Sequence, residues 1–388
     1  MRFLITVVLL VLVVGALIAG VMFQQDINDM VQSLIAQQGA EQAVAEENWG
    51  DALALLEKAH ANAPDNTGVS LRLGQLYVEL YHRYKHQGGV QVATPVLQPA
   101  AAGEGAATSD ASSTSVRTRW LSSQGMADSA TAILNTVTRS PRLEDTVRAR
   151  LLLGGLLQEK NQFKEAILLY REALAQFQSA EPKTTQRSEA LRADVLAALG
   201  NAFKLAGDNP DEQRTKLKSW LYDWSVYYYR QALQVMPRQF AHQFNLGVVY
   251  QVRPVETRAL REQYLVKAIR QYCNARYLAP SRHEVYYNLG LALVDYQAVE
   301  PGFRKLSDAV TLLSEGNHIQ QAQQLAQQIQ TVKNNQFLNS ASSRVDESSL
   351  DPWMQQCVRA EVPSAIADET GEAKKPPEKK AETPAAAH

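Results

Sequence analysis

The sequence predicts an all-α fold, an array of antiparallel helix pairs preceded by one membrane-crossing helix. Three observations predict it. Ala, Leu, Gln, Glu and Arg dominate the 388 residues, whereas aromatic and β-branched runs bounded by turns are scarce. A Leu-Gly pattern with an aromatic or apolar residue three positions on recurs five times: Leu73-Gly74 with Tyr77, Leu153-Gly154 with Leu157, Leu199-Gly200 with Phe203, Leu246-Gly247 with Tyr250, and Leu289-Gly290 with Leu293. Phe3 to Phe23 carries no charge and only Thr6 as a polar side chain.

That apolar stretch spans about 31 Å as a helix at about 1.5 Å per residue, the thickness of a bilayer core. A secretory signal has a shorter apolar region and a small-residue cleavage site. Val14-Gly15-Ala16 has that form, but cleavage there strands Leu17 to Phe23 as an apolar tail, so residues 1–25 are expected to remain as an anchor in the lipid bilayer. Arg2 precedes the span, while Asp26 and Asp29 follow it and the next basic residue is Lys58. Positive charge stays on the cytoplasmic side. The soluble part is therefore expected outside the cytoplasm, in the periplasm of a bacterium with an outer membrane.

Each Leu-Gly site is followed by a stretch with small residues, several ending near a proline. Trp49-Gly50-Asp51-Ala52 runs to Ala59 and Pro64, and Phe163 and Ala166 lead to Ala173. Tyr229 and Ala232 precede Pro237, and Tyr272 and Ala275 precede Pro280. From about Ser33 to Val299 this resembles the tetratricopeptide repeat. The resemblance implies two antiparallel helices per unit, stacked into a right-handed superhelical array, with Gly in the first helix and Ala in the second allowing close approach. It also implies protein partners.

The matched glycines are 80, 46, 47 and 43 residues apart, all more than the 34 of the resembled repeat, and the excess is expected between the two helices of a unit. The largest excess, about residues 87–119, is rich in Ala, Gly, Ser and Thr and is expected to form a mobile loop. Gly207 to Arg214 and Arg253 to Arg258 read as smaller insertions whose second helices start early and run long. The repeats are expected over 26–300 and capping helices over 301–340. The cap comprises an amphipathic helix at Phe303 to Glu315 and a Gln-rich one with Ile319, Ala322, Leu325, Ile329 and Val332 on one stripe. A mostly disordered tail is expected over 341–388.

Charge excludes one class of partner. The 39 basic and 40 acidic side chains balance to −1, without the clustered positive field that nucleic acid requires. Cys273 and Cys357 have no CxxC partner, so a thiolate zinc site is excluded; the pair either forms one disulfide or stays buried and reduced. His82 and His86, one turn apart near Glu79, lack the Glu-between-His signature and sit beside Arg83 and Lys85, so a solvated helix end is expected there. No phosphate loop, nucleophile elbow or acid–base pair is legible. The expectation is a protein without catalysis, cofactor or metal.

Candidate partner-binding residues come from two readings. By the phase of the resembled repeat, the concave groove carries Arg148, Gln158, Asn201, Lys204, Phe244, Asn245, Gln251, Tyr287, Asn288 and Asp295. Asn201 and Asn245 match the Asn positions of the family's carboxylate clamp, but Ala197, Glu284 and Asn288 stand where its cations belong, so that clamp is not expected. Independently, Trp220, Trp224 and Tyr228 share one helical face at i, i+4, i+8, while Tyr222 and Tyr229 match core positions. The aromatic face either packs against a neighbouring segment or anchors a partner. The function expected is an anchored extracytoplasmic scaffold for an envelope complex of secretion, pilus, motility or assembly type. The alternatives are an accessory subunit of a membrane enzyme or cofactor-maturation complex, and a cytoplasm-facing adaptor.

Overall fold

The computed structural model describes residues 35–95, 116–179, 185–209, 215–339 and 345–360. The expected anchor, Phe3 to Phe23, lies outside them. Among the described residues no helix is long and apolar enough to cross a membrane. The chain divides into two compact units, Met1–Pro237 and Arg238–His388.

The first unit contains α1 (residues 35–45), α2 (Trp49–Asn62), α3 (Thr67–Tyr84), a β-ribbon, α4 (Ser123–Val137), α5 (Leu143–Glu159), α6 (Phe163–Ser179), α7 (Gln186–Asp208) and α8 (Thr215–Val235). Each Leu-Gly helix packs on the helix that follows it: α3 on α4, α5 on α6, α7 on α8. The first helices α3, α5 and α7 also touch their successors. The second unit repeats this with α9 (Phe240–Val252) on α10 (Arg258–Leu278) and α11 (His283–Asp295) on α12 (Val299–Glu315), followed by α13 (Ile319–Asn339) and α14 (Pro352–Arg359).

Polar side chains set where helices begin. Asn48, Asn66, Ser122, Thr185 and Thr257 each accept a first-turn backbone N–H. Four tight links share one ending. Glu47, Asn161, Gln297 and Asn317 take left-handed φ values of 57°, 59°, 72° and 60°. The next residue's N–H then reaches five residues back, as from Asn48 to Ala43 O and from Gln162 to Leu157 O. A non-glycine residue in that conformation costs about 1 kcal/mol, offset by closing the carbonyls of the last turn.

At the crossing of each pair a glycine lies under a large side chain. A Cβ on Gly154, Gly200 or Gly247 falls 2.2, 2.7 and 2.7 Å from the rings of Tyr170, Tyr229 and Tyr272. On Gly74 it falls 2.6 Å from Leu134, and on Gly290 it falls 2.8 Å from the Gly302 carbonyl. The alanines of the second helices, Ala166, Ala173, Ala232, Ala268 and Ala275, are fully buried in the same seams.

Four sequence-based expectations are corrected or narrowed. The segment 87–119 is not a loop throughout. Gly89–Pro95 (β1) and Val116–Ser122 (β2) pair antiparallel from Gly89 opposite Ser122 to Pro95 opposite Val116. Val90, Val92 and Leu121 turn toward the core formed with α2 and α3, while Trp120 faces solvent at 60 % exposure. Period-two burial and mutual backbone pairing offset the ordering cost that its composition suggested. Residues 96–115 lie outside the described residues.

The boundary at 300/301 cuts through α12. Val299 opens that helix and Pro301 sits in its first turn, where a missing N–H is tolerated. The excess of residues is not always between the helices of a pair either. The α5–α6 link is only residues 160–162, and the extra length lies after α6 and in the long start of α7. The link residues 209–214 and 253–257 do separate paired helices, and α8 and α10 run to 21 residues each.

The tail expected to be mostly disordered over 341–388 contains one ordered segment. Residues 345–360 form a strap ending in α14, with Leu350, Met354, Cys357 and Val358 buried at spacings of three or four. Cys357 is bonded to Cys273 of α10, with Cα atoms 5.8 Å apart. Arg270 stacks on the Trp353 ring at 4.7 Å. Glu347 bridges Arg304 at 3.0 Å and Arg359 at 2.8 Å, and hydrogen bonding from Arg359 holds its carboxyl below the usual range. Lys305, 2 % exposed, and Arg276 both donate to the Ala360 carbonyl at 3.0 Å; burial pushes the Lys305 ammonium down despite Asp308 at 2.7 Å. Residues 361–388 lie outside the described residues.

Two predictions follow from these contacts. Gly154→Ala destabilises the chain by about 1–3 kcal/mol in urea unfolding, because the tyrosine ring must move. Gly155→Ala in the same helix meets nothing within 4 Å and stabilises by about 0.5–1 kcal/mol. Reduction with dithiothreitol, or Cys357→Ser, lowers stability by about 2–5 kcal/mol in the same assay, because the bridge closes a loop of 84 residues.

Candidate functional site

The residues placed in the concave groove by sequence separate into two groups. Arg148, Gln158, Asn201 and Lys204 belong to the first unit; Phe244, Asn245, Gln251, Tyr287, Asn288 and Asp295 belong to the second.

Several are committed to internal contacts. Gln158 stands one turn after Gly154 and donates to the Tyr170 hydroxyl at 2.9 Å. Gln251 stands one turn after Gly247 and accepts from the Tyr272 hydroxyl at 2.7 Å. Burial pushes both phenols above their ordinary pKa, so each donates or accepts as a neutral hydroxyl. Asn201 donates to Gln158 at 2.9 Å, tying α7 to α5. Lys204, at the same helical position after Gly200, pairs instead with Asp208 at 2.6 Å. Arg261 joins the Gln251 carbonyl to Asp295, at 3.1 Å from the latter carboxylate. Burial raises the Asp295 pKa. Arg148 and Asn245 are half-buried on α5 and α9.

The aromatic face divides. Tyr228 is buried and stacks on Phe203 with centroids 5.6 Å apart; Trp224 stacks on the same ring at 6.1 Å. Both pack within the pair α7–α8. Trp220 and Tyr227 stay about half exposed at its edge, each meeting Trp224 edge-on. Tyr222 and Tyr229 are core, as their positions suggested.

The second unit contains an open groove of about 390 Å³. Phe244 of α9, Tyr287 of α11, Leu313 of α12 and Leu325 of α13 supply its apolar surface. His283, Glu284 and Asn288 of α11 and Gln321, Gln324 and Gln328 of α13 supply its polar surface. Three sequence-derived candidates, Phe244, Tyr287 and Asn288, therefore come together. The α13 wall was missed because that helix reads as a cap. Its Gln321, Gln324, Leu325 and Gln328 recur at the spacing of one helical face, a signal legible beforehand. On the apolar stripe Ala322 is buried, Leu325, Ile329 and Val332 are half-buried, and Ile319 is 48 % exposed rather than packed.

The groove walls are built by local contacts. Phe244 stacks on Phe240 at 5.8 Å and leans on Tyr272 at 5.8 Å. Arg282 lies over the Phe240 ring at 4.9 Å and reaches Glu284 at 3.4 Å. Asn288 donates to the Glu284 carbonyl at 2.8 Å, one turn back on α11. Such a surface offers rings for side chains and amides that both donate and accept, which suits the backbone of an extended segment.

Among the described residues no group of three His, Cys, Asp or Glu side chains is placed to hold a metal ion. His82 lies 3.9 Å from Glu159, and desolvation lowers its pKa. His86 is exposed in the turn leading to β1.

Comparison with known proteins gives the repeat type. A family model for the tetratricopeptide repeat matches residues 43–82, which span α2 and most of α3. No curated protein matches the chain in sequence. Among solved structures, a crystal structure of MamA is similar at 15 % identity and a TM-score of 0.37, covering 50 % of this chain and 94 % of that one. The human IFIT1 dimer with m7Gppp-AAAA is similar at 14 % identity and a TM-score of 0.40, covering 73 % of this chain and 55 % of that one. Over residues 43–82 the chain carries a tetratricopeptide-type repeat, set within its series of helix pairs.

Gln251→Ala tests the division between structural and free groove residues. It leaves the fully buried Tyr272 hydroxyl without its acceptor and costs about 1–3 kcal/mol in urea unfolding. Gln324→Ala on the exposed wall of α13 changes stability by less than about 0.5 kcal/mol.

Proposed function

We propose that this chain is a membrane-anchored scaffold whose repeats work outside the cytoplasm and bind an extended segment of a partner protein in an envelope complex. The observation that carries the reading is the groove lined by Phe244, Tyr287, Asn288 and the glutamines of α13. It combines apolar seats with amide donors and acceptors, the pairing that holds a peptide backbone and its side chains together. The scaffold acts by binding rather than catalysis.

Two further features support the location. The apolar stretch Phe3 to Phe23 has the length of a bilayer core, with its only nearby cation on the amino-terminal side. The Cys273–Cys357 bridge suits an oxidising compartment, because cytoplasmic thiol systems keep such pairs reduced.

Photo-crosslinking in intact cells tests the groove. A crosslinker replacing Tyr287 or Leu325 captures a defined partner, whereas one replacing Glu262 on α10, away from the groove, does not. Equal capture from all three positions counts against the reading. With the captured partner purified, Tyr287→Ala combined with Leu325→Glu lowers affinity at least about tenfold while the helical content is retained. Reporter fusions after His388 test orientation: a reporter active only in the cytoplasm overturns it.

A further inference from the structure

The chemistry of the groove narrows its ligand. Ten of the described residues line it, and among them none is lysine, arginine or aspartate and Glu284 is the one carboxylate. That carboxylate has two long contacts, 3.4 Å to Arg282 and 3.4 Å to His283. A carboxylate accepts about four hydrogen bonds, so acceptor capacity remains. Asn288 spends its amide N–H on the Glu284 carbonyl, leaving its Oδ1 as a second acceptor in the same groove. Phe244 and Tyr287 add aromatic rings, whose faces attract cations. The neighbouring guanidinium of Arg282 is held over Phe240.

We propose that the groove selects a lysine or arginine side chain within an extended partner segment, the cationic head meeting the Glu284 carboxylate and the Asn288 carbonyl oxygen between Phe244 and Tyr287. The proposal rests on the groove being the binding site and goes beyond it by naming the chemistry recognised. An acidic segment brings like charge to Glu284 and finds no lysine or arginine among the described lining residues. A wholly apolar segment leaves the acceptors unpaired.

Three end-blocked, dye-labelled heptapeptides, identical except for Lys, Gln or Glu at the centre, test the selection by fluorescence polarisation with the full-length chain in detergent. The Lys peptide binds about fivefold more tightly than the Gln peptide, and the Glu peptide most weakly. The difference shrinks in 1 M salt, where the screening length is about 3 Å. Glu284→Gln brings the Lys peptide down to the Gln peptide's affinity, whereas Glu262→Gln on α10, away from the groove, keeps the preference, which separates charge selection at Glu284 from a general change of charge. Equal affinities for the three peptides overturn the charge selection and leave the groove standing. Binding of none overturns the groove reading as well. The chain's own Lys374, Lys375, Lys379 and Lys380 are a rival occupant: if changing all four to Gln raises Lys-peptide affinity manyfold, the groove serves the tail and the partner assignment falls.

Discussion

Paired helices here approach until a ring or an isobutyl group rests directly on a backbone. Tyr170, Tyr229 and Tyr272 cover Gly154, Gly200 and Gly247, and Leu134 and Leu306 do the same at Gly74 and Gly290. Much else follows from that distance. A tyrosine so deeply placed buries its hydroxyl, and a buried hydroxyl needs a partner. Gln158 and Gln251, one turn after their glycines, meet that need. The close approach therefore withdraws two amides from any role in partner binding.

Because the contact sits in the middle of each pair, the links at its ends are free to vary. A three-residue turn joins α5 to α6, whereas a β-ribbon separates α3 from α4. The ribbon stays with the core through Val92, which is 3 % exposed, and through the Arg119–Glu57 pair at 2.7 Å. In the second unit the strap of residues 345–360 lies on α10 and is fixed by the disulfide and by the two cations at the Ala360 carbonyl. Both additions bury apolar side chains at short intervals while their polar backbone finds partners, which is why segments of unpromising composition are ordered.

The groove illustrates how far residue patterns reach. Phe244, Tyr287 and Asn288 were legible because the repeat phase fixes which side of a first helix faces inward. Gln158 and Gln251 share that phase, yet their side chains turn to tyrosine hydroxyls on the second helix. The α13 wall was legible as a stripe of Gln321, Gln324 and Gln328 but not as a wall, since nothing local to that stripe says what stands opposite. Trp224 and Tyr228 form a face with Trp220 by spacing alone; Phe203 on another helix helps bury Tyr228, covers Trp224 in part and leaves Trp220 half exposed.

Local chemistry sufficed for the helical class, the glycine crossings and the charge balance. These depend on propensity, side-chain volume and composition, and all are readable along the chain. Tertiary structure alone decided that β1 finds β2 across the intervening residues, that Cys273 lies 5.8 Å from Cys357, and that α13 faces α11 across a groove. Each of these joins residues far apart in sequence, and such contacts form only when the packing of everything between them brings the partners within reach.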